Sequence, residues 1–432
     1  MKNNREDRDI SFLGKIILFV RNIFEKIKEL SLPQRLVDHE KSIAGYDDNS
    51  SPREAKIAFV FGMARIACLS LLCVIVVLVI VFGSSMLSYD NVYYMFKDIA
   101  YINSFVENKP SSLNYSRPFS NQDFGSFKNG LAVAGDSEIK LFTSTGRVTM
   151  AVGSEFTNPK VCSSDSSLLI YDQGRNTYKI FNSFTALRTE TLPYAISSAA
   201  MADDGSFCIA TKSEGYTSTV RVYNKKFSVE SEYSRDGHII SVDISPDGKS
   251  IAVLSLDASN GDSVATITVL ERGKEKTRAS LSLNGILPYS AKFVSNDRIA
   301  LICSDYTAVY DLDCREKNKT EYSKQVANVS VSNGGYAVLF KDNSMDSSFT
   351  LTVFGENGNR VSDHKLEGYV SDIALHENYA YALMDGEVIR IDTLFGGVSK
   401  APHSAENASL VVFDDGSVTV CTNTAAYYIS FN

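Results

Sequence analysis

ISVDISPDGKSIAVLSLD, Ile240 to Asp257, decides the fold. Apolar residues alternate from Ile240 to Ile244, Ser245-Pro-Asp-Gly-Lys249 reverses the chain, and a more continuous apolar run follows from Ile251 to Leu256. A period of two marks a half-buried strand, and Pro, Asp and Gly supply the backbone angles of a tight reversal. The stretch predicts two antiparallel strands joined by a short turn. ATITVLE at Ala265–Glu271 predicts a third strand, and the more polar EKTRASLSL from Glu275 predicts a fourth.

The same sentence recurs outward in both directions. Upstream units begin at Gln122, Pro159 and Ile196, and downstream units at Pro288, Ala327, Val370 and Ser409. Their third strands read EIKLFT at Glu138, TYKIFN at Thr177, TVRVYN at Thr219, TAVYDLD at Thr307, FTLTVFG at Phe349 and EVIRID at Glu387. Eight units of about 40 residues each fall in the range of propeller blades. The last unit ends with AAYYISF before Asn432, which leaves no room for its fourth strand. Ser111–Phe119 (SSLNYSRPF), just ahead of the first unit, can supply it and remove the open sheet edges. The expected fold is all-β: an eight-bladed β-propeller over residues 111–432, with seven blades as the alternative if one weakly spelled unit is an insertion.

The Ser245–Lys249 turn followed by an apolar strand resembles the repeats of bacterial WD40-like and TolB-like propellers. Together with the segment DNVYYMFKDI at Asp90–Ile99, the layout is similar to an uncharacterised family of single-pass, membrane-anchored propellers of clostridia and related Gram-positive bacteria. That family is a domain of unknown function, so the resemblance implies an architecture and a location and no chemistry.

Ahead of the repeats, Ile57–Phe82 is apolar except for Arg65, and its last seventeen residues, IACLSLLCVIVVLVIVF, carry no charge. Roughly 20 helical residues cross a bilayer core, so one transmembrane helix over 57–82 is expected. Lys41, Arg53, Lys56 and Arg65 flank its N-terminal side, against Lys97 alone in the twenty residues beyond. Flanking positive charge keeps that side in the cytoplasm, which makes the run a signal-anchor and puts the propeller outside. Within the cytoplasmic head, residues 1–56, segment 10–30 sets Leu13, Ile16, Ile17, Val20, Phe24 and Ile27 on one helical face and basic residues on the other. Such an amphipathic helix suits the inner membrane surface or a partner helix. The neck, 83–110, is rich in aromatic residues (Tyr89, Tyr93 and Tyr94 among them), as expected at the headgroup level.

The chain has a formal net charge of −8. Residues 83–432 hold 31 Lys/Arg against 41 Asp/Glu, a balance of −10 that argues against nucleic acid. Seven cysteines are scattered without a CxxC pair. Cys162, Cys208, Cys303, Cys314 and Cys421, in the repeats, are expected as small buried groups on strands. No His pair has metal spacing, and neither a nucleophile elbow nor a phosphate loop occurs. The nearest approach to a metal site is two calcium-like loops, Asp257, Asn260 and Asp262 in one and Asp342 and Asp346 in the other. Both fall between second and third strands, where a solvated polar hairpin is the expected outcome, so no metal and no cofactor is assigned. The function expected is a protein-interaction scaffold in the cell envelope, contacting membrane lipid and another envelope or membrane protein. The alternatives are a sensor that takes a ligand in the propeller channel and, further off, a glycan-active enzyme using channel carboxylates.

Overall fold

The computed structural model describes residues 66–74, 112–143, 146–214, 218–259, 261–274, 276–342 and 348–431. The chain falls into two units, divided between Phe105 and Val106. In the first, residues 66–74 form a helix whose Ile66, Leu69, Leu71, Leu72 and Val74 side chains are exposed, as are Cys68 and Cys73. Among the described residues no helix is long and apolar enough to cross a membrane. The remainder of the expected span lies outside the described residues, as do the head with its segment 10–30 and the neck. So do the flanking residues Arg53, Lys56, Arg65, Tyr89, Tyr93 and Tyr94.

The second unit is all β. Eight four-stranded antiparallel sheets form the blades of a propeller, seven of them running in chain order from first strand to fourth. Blades 1 to 7 occupy residues 122–153, 159–191, 196–235, 238–284, 288–321, 325–367 and 370–402. Blade 8 is 409–429 completed by Ser112–Asn114. First strands of successive blades pack against one another, and Ser409–Val412 of blade 8 meets Gln122–Phe127 of blade 1, so the ring closes. Eight complete sheets leave no unit to be an insertion.

Local sequence accounts for the layers. The apolar second strands, such as Leu168–Asp172 and Phe207–Thr211, are buried along their whole length between neighbouring blades. The polar fourth strands, such as Glu316–Glu321, alternate exposed and half-buried at the rim. Because strands alternate in direction, the first-to-second and third-to-fourth turns share one face of the ring, the turn face. The second-to-third connections and the passages from each blade to the next share the other, the handover face.

The deciding turn shows its chemistry directly. Ser245 N–H donates to Ser250 O at 2.8 Å, and Gly248 N–H donates to Ser245 O at 2.7 Å. The Ser245 hydroxyl reaches Asp247 at 2.7 Å, and that carboxylate also accepts the Lys249 ammonium at 2.8 Å. Gly248 has φ +69°, and a Cβ there would stand 2.5 Å from Ser206 Oγ of blade 3. Glycine is therefore required both by the turn and by the neighbouring blade.

Ser112–Asn114 pairs antiparallel with the last strand, Ala425–Ile429, as expected for the closing strand. The segment then runs on against blade 8 through Tyr115 N–H to Thr424 O and Phe119 N–H to Asn423 O, at 3.1 and 3.0 Å. Leu113, Tyr115 and Phe119 are buried with Leu131 and Val133 of blade 1 and Val411 and Phe413 of blade 8. Gly135 makes room for this latch, since a Cβ there would lie 2.2 Å from the Phe119 ring. Phe119 thus adds to the strand pairing an aromatic ring held between the first blade and the last. Phe119→Ala should destabilise the propeller by about 3–5 kcal/mol, the usual cost of emptying a buried Phe site. A fall in the urea midpoint of the full chain, at unchanged slope, would measure it.

Candidate functional site

Each first strand lines the axis with one edge that no strand covers, and its backbone groups need partners from elsewhere. Side chains of the neighbouring blade provide them. Asp123 of blade 1 accepts the Val161 N–H of blade 2 at 2.8 Å, and Ser198 Oγ of blade 3 accepts the Val242 N–H of blade 4 at 3.3 Å. Asp243 of blade 4 accepts the Phe293 N–H of blade 5 at 2.7 Å, and Ser330 Oγ of blade 6 accepts the Leu375 N–H of blade 7 at 2.9 Å. Asp372 of blade 7 accepts the Leu410 N–H of blade 8 at 2.8 Å and the Asn328 amide of blade 6 at 3.0 Å. Even Cys162 takes part, its thiol donating to Ala199 O at 3.4 Å.

The charges here are few. Lys292 donates to Asp243 at 3.2 Å and to Val242 O at 3.4 Å. Burial works against the Lys292 ammonium, but Asp243 together with Cys162 and Cys208 holds the group above the usual lysine range. Burial lifts the Asp123 carboxyl above its usual range, with Lys160 and the Val161 amide opposing, and burial lifts Asp372 likewise. Burial also pushes the Cys162 thiol up to about 12. This belt orders the ring from blade to blade, and its carboxylates hold bonds that explain their presence.

A second feature stands on the handover face. Ile240, Leu287, Tyr289 and Tyr369 are large, apolar and exposed where chains pass into the first strands of blades 4, 5 and 7. Register shifts between Ile239 and Ser241 and between Pro288 and Ser290 insert one extra residue in each strand, turning Ile240 and Tyr289 outward. Tyr369 lies edge-on to the buried Phe349 ring, 6.4 Å between centroids. Tyr322, at the passage from blade 5 to blade 6, is half-buried, its hydroxyl donating to Cys303 O at 2.6 Å.

The calcium-like loops lie on this same face. Ser259 pairs with Asp262, so the first is a two-residue hairpin extending blade 4, with Asp257 and Asp262 exposed and Asp257 accepting its neighbour Ala258 N–H at 2.8 Å. Asn260 and Asp346 lie outside the described residues. Asp342 accepts the Lys324 ammonium at 2.6 Å and the Thr350 hydroxyl at 2.7 Å, and the Lys324 bond holds its carboxyl below the usual range. Among the described residues no group of three or more His, Cys, Asp or Glu is arranged to hold a metal ion. Of the repeat cysteines, Cys208, Cys303 and Cys421 are buried on strands, whereas Cys162 and Cys314 are half-buried.

A family match in sequence spans residues 109–426, from just before the closing strand into the last strand of blade 8. The chain belongs to the family of unknown function DUF5711. None of the curated proteins matches this DUF5711 member in sequence. Among solved structures it is similar to BamB from Moraxella catarrhalis, with a TM-score of 0.52 at 13% identity over 75% of this chain and 98% of that one. It is also similar to Sqt1 from Saccharomyces cerevisiae, with a TM-score of 0.55 at 10% identity over 74% and 98%. At these identities the likeness is one of fold alone.

The junction belt makes a prediction with a definite sign. Asp123→Asn keeps an acceptor for Val161 N–H and removes the buried charge, whereas Asp123→Ala leaves that N–H unmatched. The alanine variant should be less stable than the asparagine variant by about 1–3 kcal/mol. Because the folded Asp123 value is raised, the folded state holds a proton that the unfolded chain releases. Wild-type stability relative to Asp123→Asn therefore falls as pH rises through that raised value and recovers below it. Urea titrations of all three proteins from about pH 4 to 7 would read both effects.

Proposed function

We propose that this DUF5711 member is a protein-interaction scaffold of a Gram-positive cell envelope. One helix over 57–82 holds it in the membrane, the head stays in the cytoplasm against lipid, and the propeller binds another envelope or membrane protein on the outer side. The location is supported by the charge-free run Ile66–Phe82, the basic residues on its N-terminal side and the acidic balance of everything beyond it.

The observation that carries the binding reading is the handover-face row of Ile240, Leu287, Tyr289 and Tyr369. Tyrosines on a rigid frame offer large contact area and a polar tip at small cost in side-chain entropy, which is why they concentrate in interface hot spots. Two of the four stand at first-strand bulges, a feature that recurs in blades 3, 6 and 7 with the small residues Ser197, Ala327 and Ser371 in the same place. No reaction is proposed. The channel carboxylates Asp123, Asp243 and Asp372 serve the blade junctions, which favours binding on a face over catalysis or ligand capture in the channel.

Crosslinking and pull-down from native membranes tests this, comparing wild type, Leu287→Ser/Tyr289→Ser/Tyr369→Ser, and a chain lacking the propeller. A protein recovered with wild type should fall at least about tenfold with the triple variant, the scale of losing hot-spot residues. Equal recovery with the triple variant sinks the assignment to this face. No enrichment over the propeller-less chain sinks the scaffold reading itself.

A further inference from the structure

We infer that the turn face of blade 7 is a second docking surface, shaped for a basic segment of a partner protein that carries an apolar anchor. Its centre is the turn between Glu387–Asp392 and Val398–Pro402, the third and fourth strands of that blade. Asp392 accepts the N–H groups of Leu394 and Phe395, both at 2.9 Å, and Gly396 N–H returns to Asp392 O at 2.9 Å. Thr393 is tied twice to Asn378 O, through its amide and its hydroxyl, each at 2.9 Å. This rigid loop holds Leu394 60% and Phe395 88% exposed, with Tyr379 and Val398 exposed beside them.

The frame does not need those residues. Asn224 accepts the Lys226 and Ser228 N–H groups at 2.9 and 3.1 Å, and Asp311 accepts those of Asp313 and Arg315 at 3.0 and 2.9 Å. The exposed residues at those tips are polar, Lys225 and Lys226 in blade 3 and Asp313 in blade 5, while Phe227 and Leu312 turn in against the core. In blade 2, Asn182 builds the same frame, but its Phe184 is half-buried. Related side-chain-framed turns thus tuck their apolar residues in elsewhere, with Phe184, Phe227 and Leu312 half-buried, whereas the blade 7 turn, one residue longer than those of blades 3 and 5, carries an exposed Leu-Phe pair. Exposed aromatic and aliphatic anchors on a fixed loop are what a binding hot spot requires.

The surrounding charge selects the occupant. The Tyr381 hydroxyl of blade 7 donates to Gly416 O at 3.4 Å, which sets the Asp414-Asp415 turn of blade 8 against the patch. Glu377 lies in blade 7's own neighbouring turn. Further round the same face, burial and then the charges of Asp165, Asp204 and Asp414 lift the Asp203 carboxyl above its usual range, so these turns share one negative field. The cation within the patch, Arg390, lies over the Tyr379 and Phe431 rings at 5.4 and 4.6 Å. A second copy of this acidic surface, or an anionic membrane, would be repelled, whereas Lys or Arg residues flanking an apolar anchor would be drawn in.

The chain contains no Trp, so the emission of a tryptophan peptide reports the peptide alone. The probe is a short lysine-serine peptide with one central tryptophan, titrated with the detergent-solubilised full chain, with a glutamate-serine counterpart as control. Saturable binding of the lysine peptide is expected, at least tenfold weaker with Leu394→Ser/Phe395→Ser. It should also weaken with Asp414→Asn/Asp415→Asn and with added salt, and stay unchanged with the handover-face triple variant. That last result separates this site from the one proposed above. Equal binding of the glutamate peptide, or wild-type affinity in the Leu394/Phe395 variant, overturns the inference. So does no binding beyond that of detergent alone, or loss of binding in the handover-face variant. A wild-type dimer in sedimentation that becomes monomeric with Leu394→Ser/Phe395→Ser also overturns it, because the occupant would then be a second copy. All these residues are exposed, so unchanged thermal melts by circular dichroism will show that the variants fold.

Discussion

A ring of sheets leaves the inner edge of every blade without a strand to pair with, and the propeller depends on how those edges are satisfied. Here the answer is a set of short polar side chains, each reaching one blade onward. Asp123, Ser198, Asp243, Ser330 and Asp372 all accept a backbone N–H from the next first strand. An unmatched buried N–H costs more than a typical hydrogen bond gains, so these five junctions are fixed by the penalty for breaking them. These bonds set blade against blade, while the apolar second strands supply bulk burial without specifying the ring. The closing strand does the corresponding job once, converting a row of eight blades into a circle through Leu113, Tyr115 and Phe119.

The eight units are legible in the sequence because alternation and turn chemistry are local. ISVDISPDGKSIAVL spells strand, turn and strand, and every other unit repeats enough of that spelling to be counted. The start of each first strand is placed within two residues, as at Ile240 against His238 and Ala327 against Gln325. The closing strand follows from counting strands, which is again a local operation. The junction belt is not legible, because its members are Asp, Ser or Cys at positions that shift along the strand. Nothing in QDFGSF marks Asp123 as the partner of an amide thirty-eight residues away. The bulges that expose Ile240 and Tyr289 are equally silent, since one extra residue leaves the alternation readable on either side. Cys162 shows the limit of composition: a small group on a strand, as expected, yet half-buried and bonded across a junction.

The loops that looked like calcium sites teach the converse. Asp342 belongs to Lys324 and Thr350, partners eighteen and eight residues away, so a carboxylate in an acidic stretch can be engaged by groups distant in sequence. Asp257 and Asp262 lie on a blade 4 hairpin that extends past its neighbours. A spacing motif predicts a site only when the backbone bends its side chains inward. Asp257 and Asp262 fall on one face of their hairpin, since Asp257 pairs with Val264 and Ser259 with Asp262, yet among the described residues no third acid joins them.

The acidic balance of the repeats has two readings in sequence, solubility or attraction of a basic partner, and the geometry sorts individual carboxylates between structural and surface roles. Asp123, Asp243 and Asp372 are consumed by blade junctions, and Asp311 and Asp392 by the turns they frame. Asp204 is matched by Arg272 at 3.0 Å and Asp247 by Lys249 at 2.8 Å. What remains concentrated is the group of turns carrying Asp165, Asp203, Asp414 and Glu377, all at first-to-second connections and hence all on one face. Burial, and after it the charges of Asp165, Asp204 and Asp414, raises the Asp203 carboxyl, and blade 6 makes its shorter first-to-second connection with Asn333-Gly334. A surface that keeps like charges together, next to the exposed Leu394 and Phe395, has the character of a binding face more than of a solubilising one.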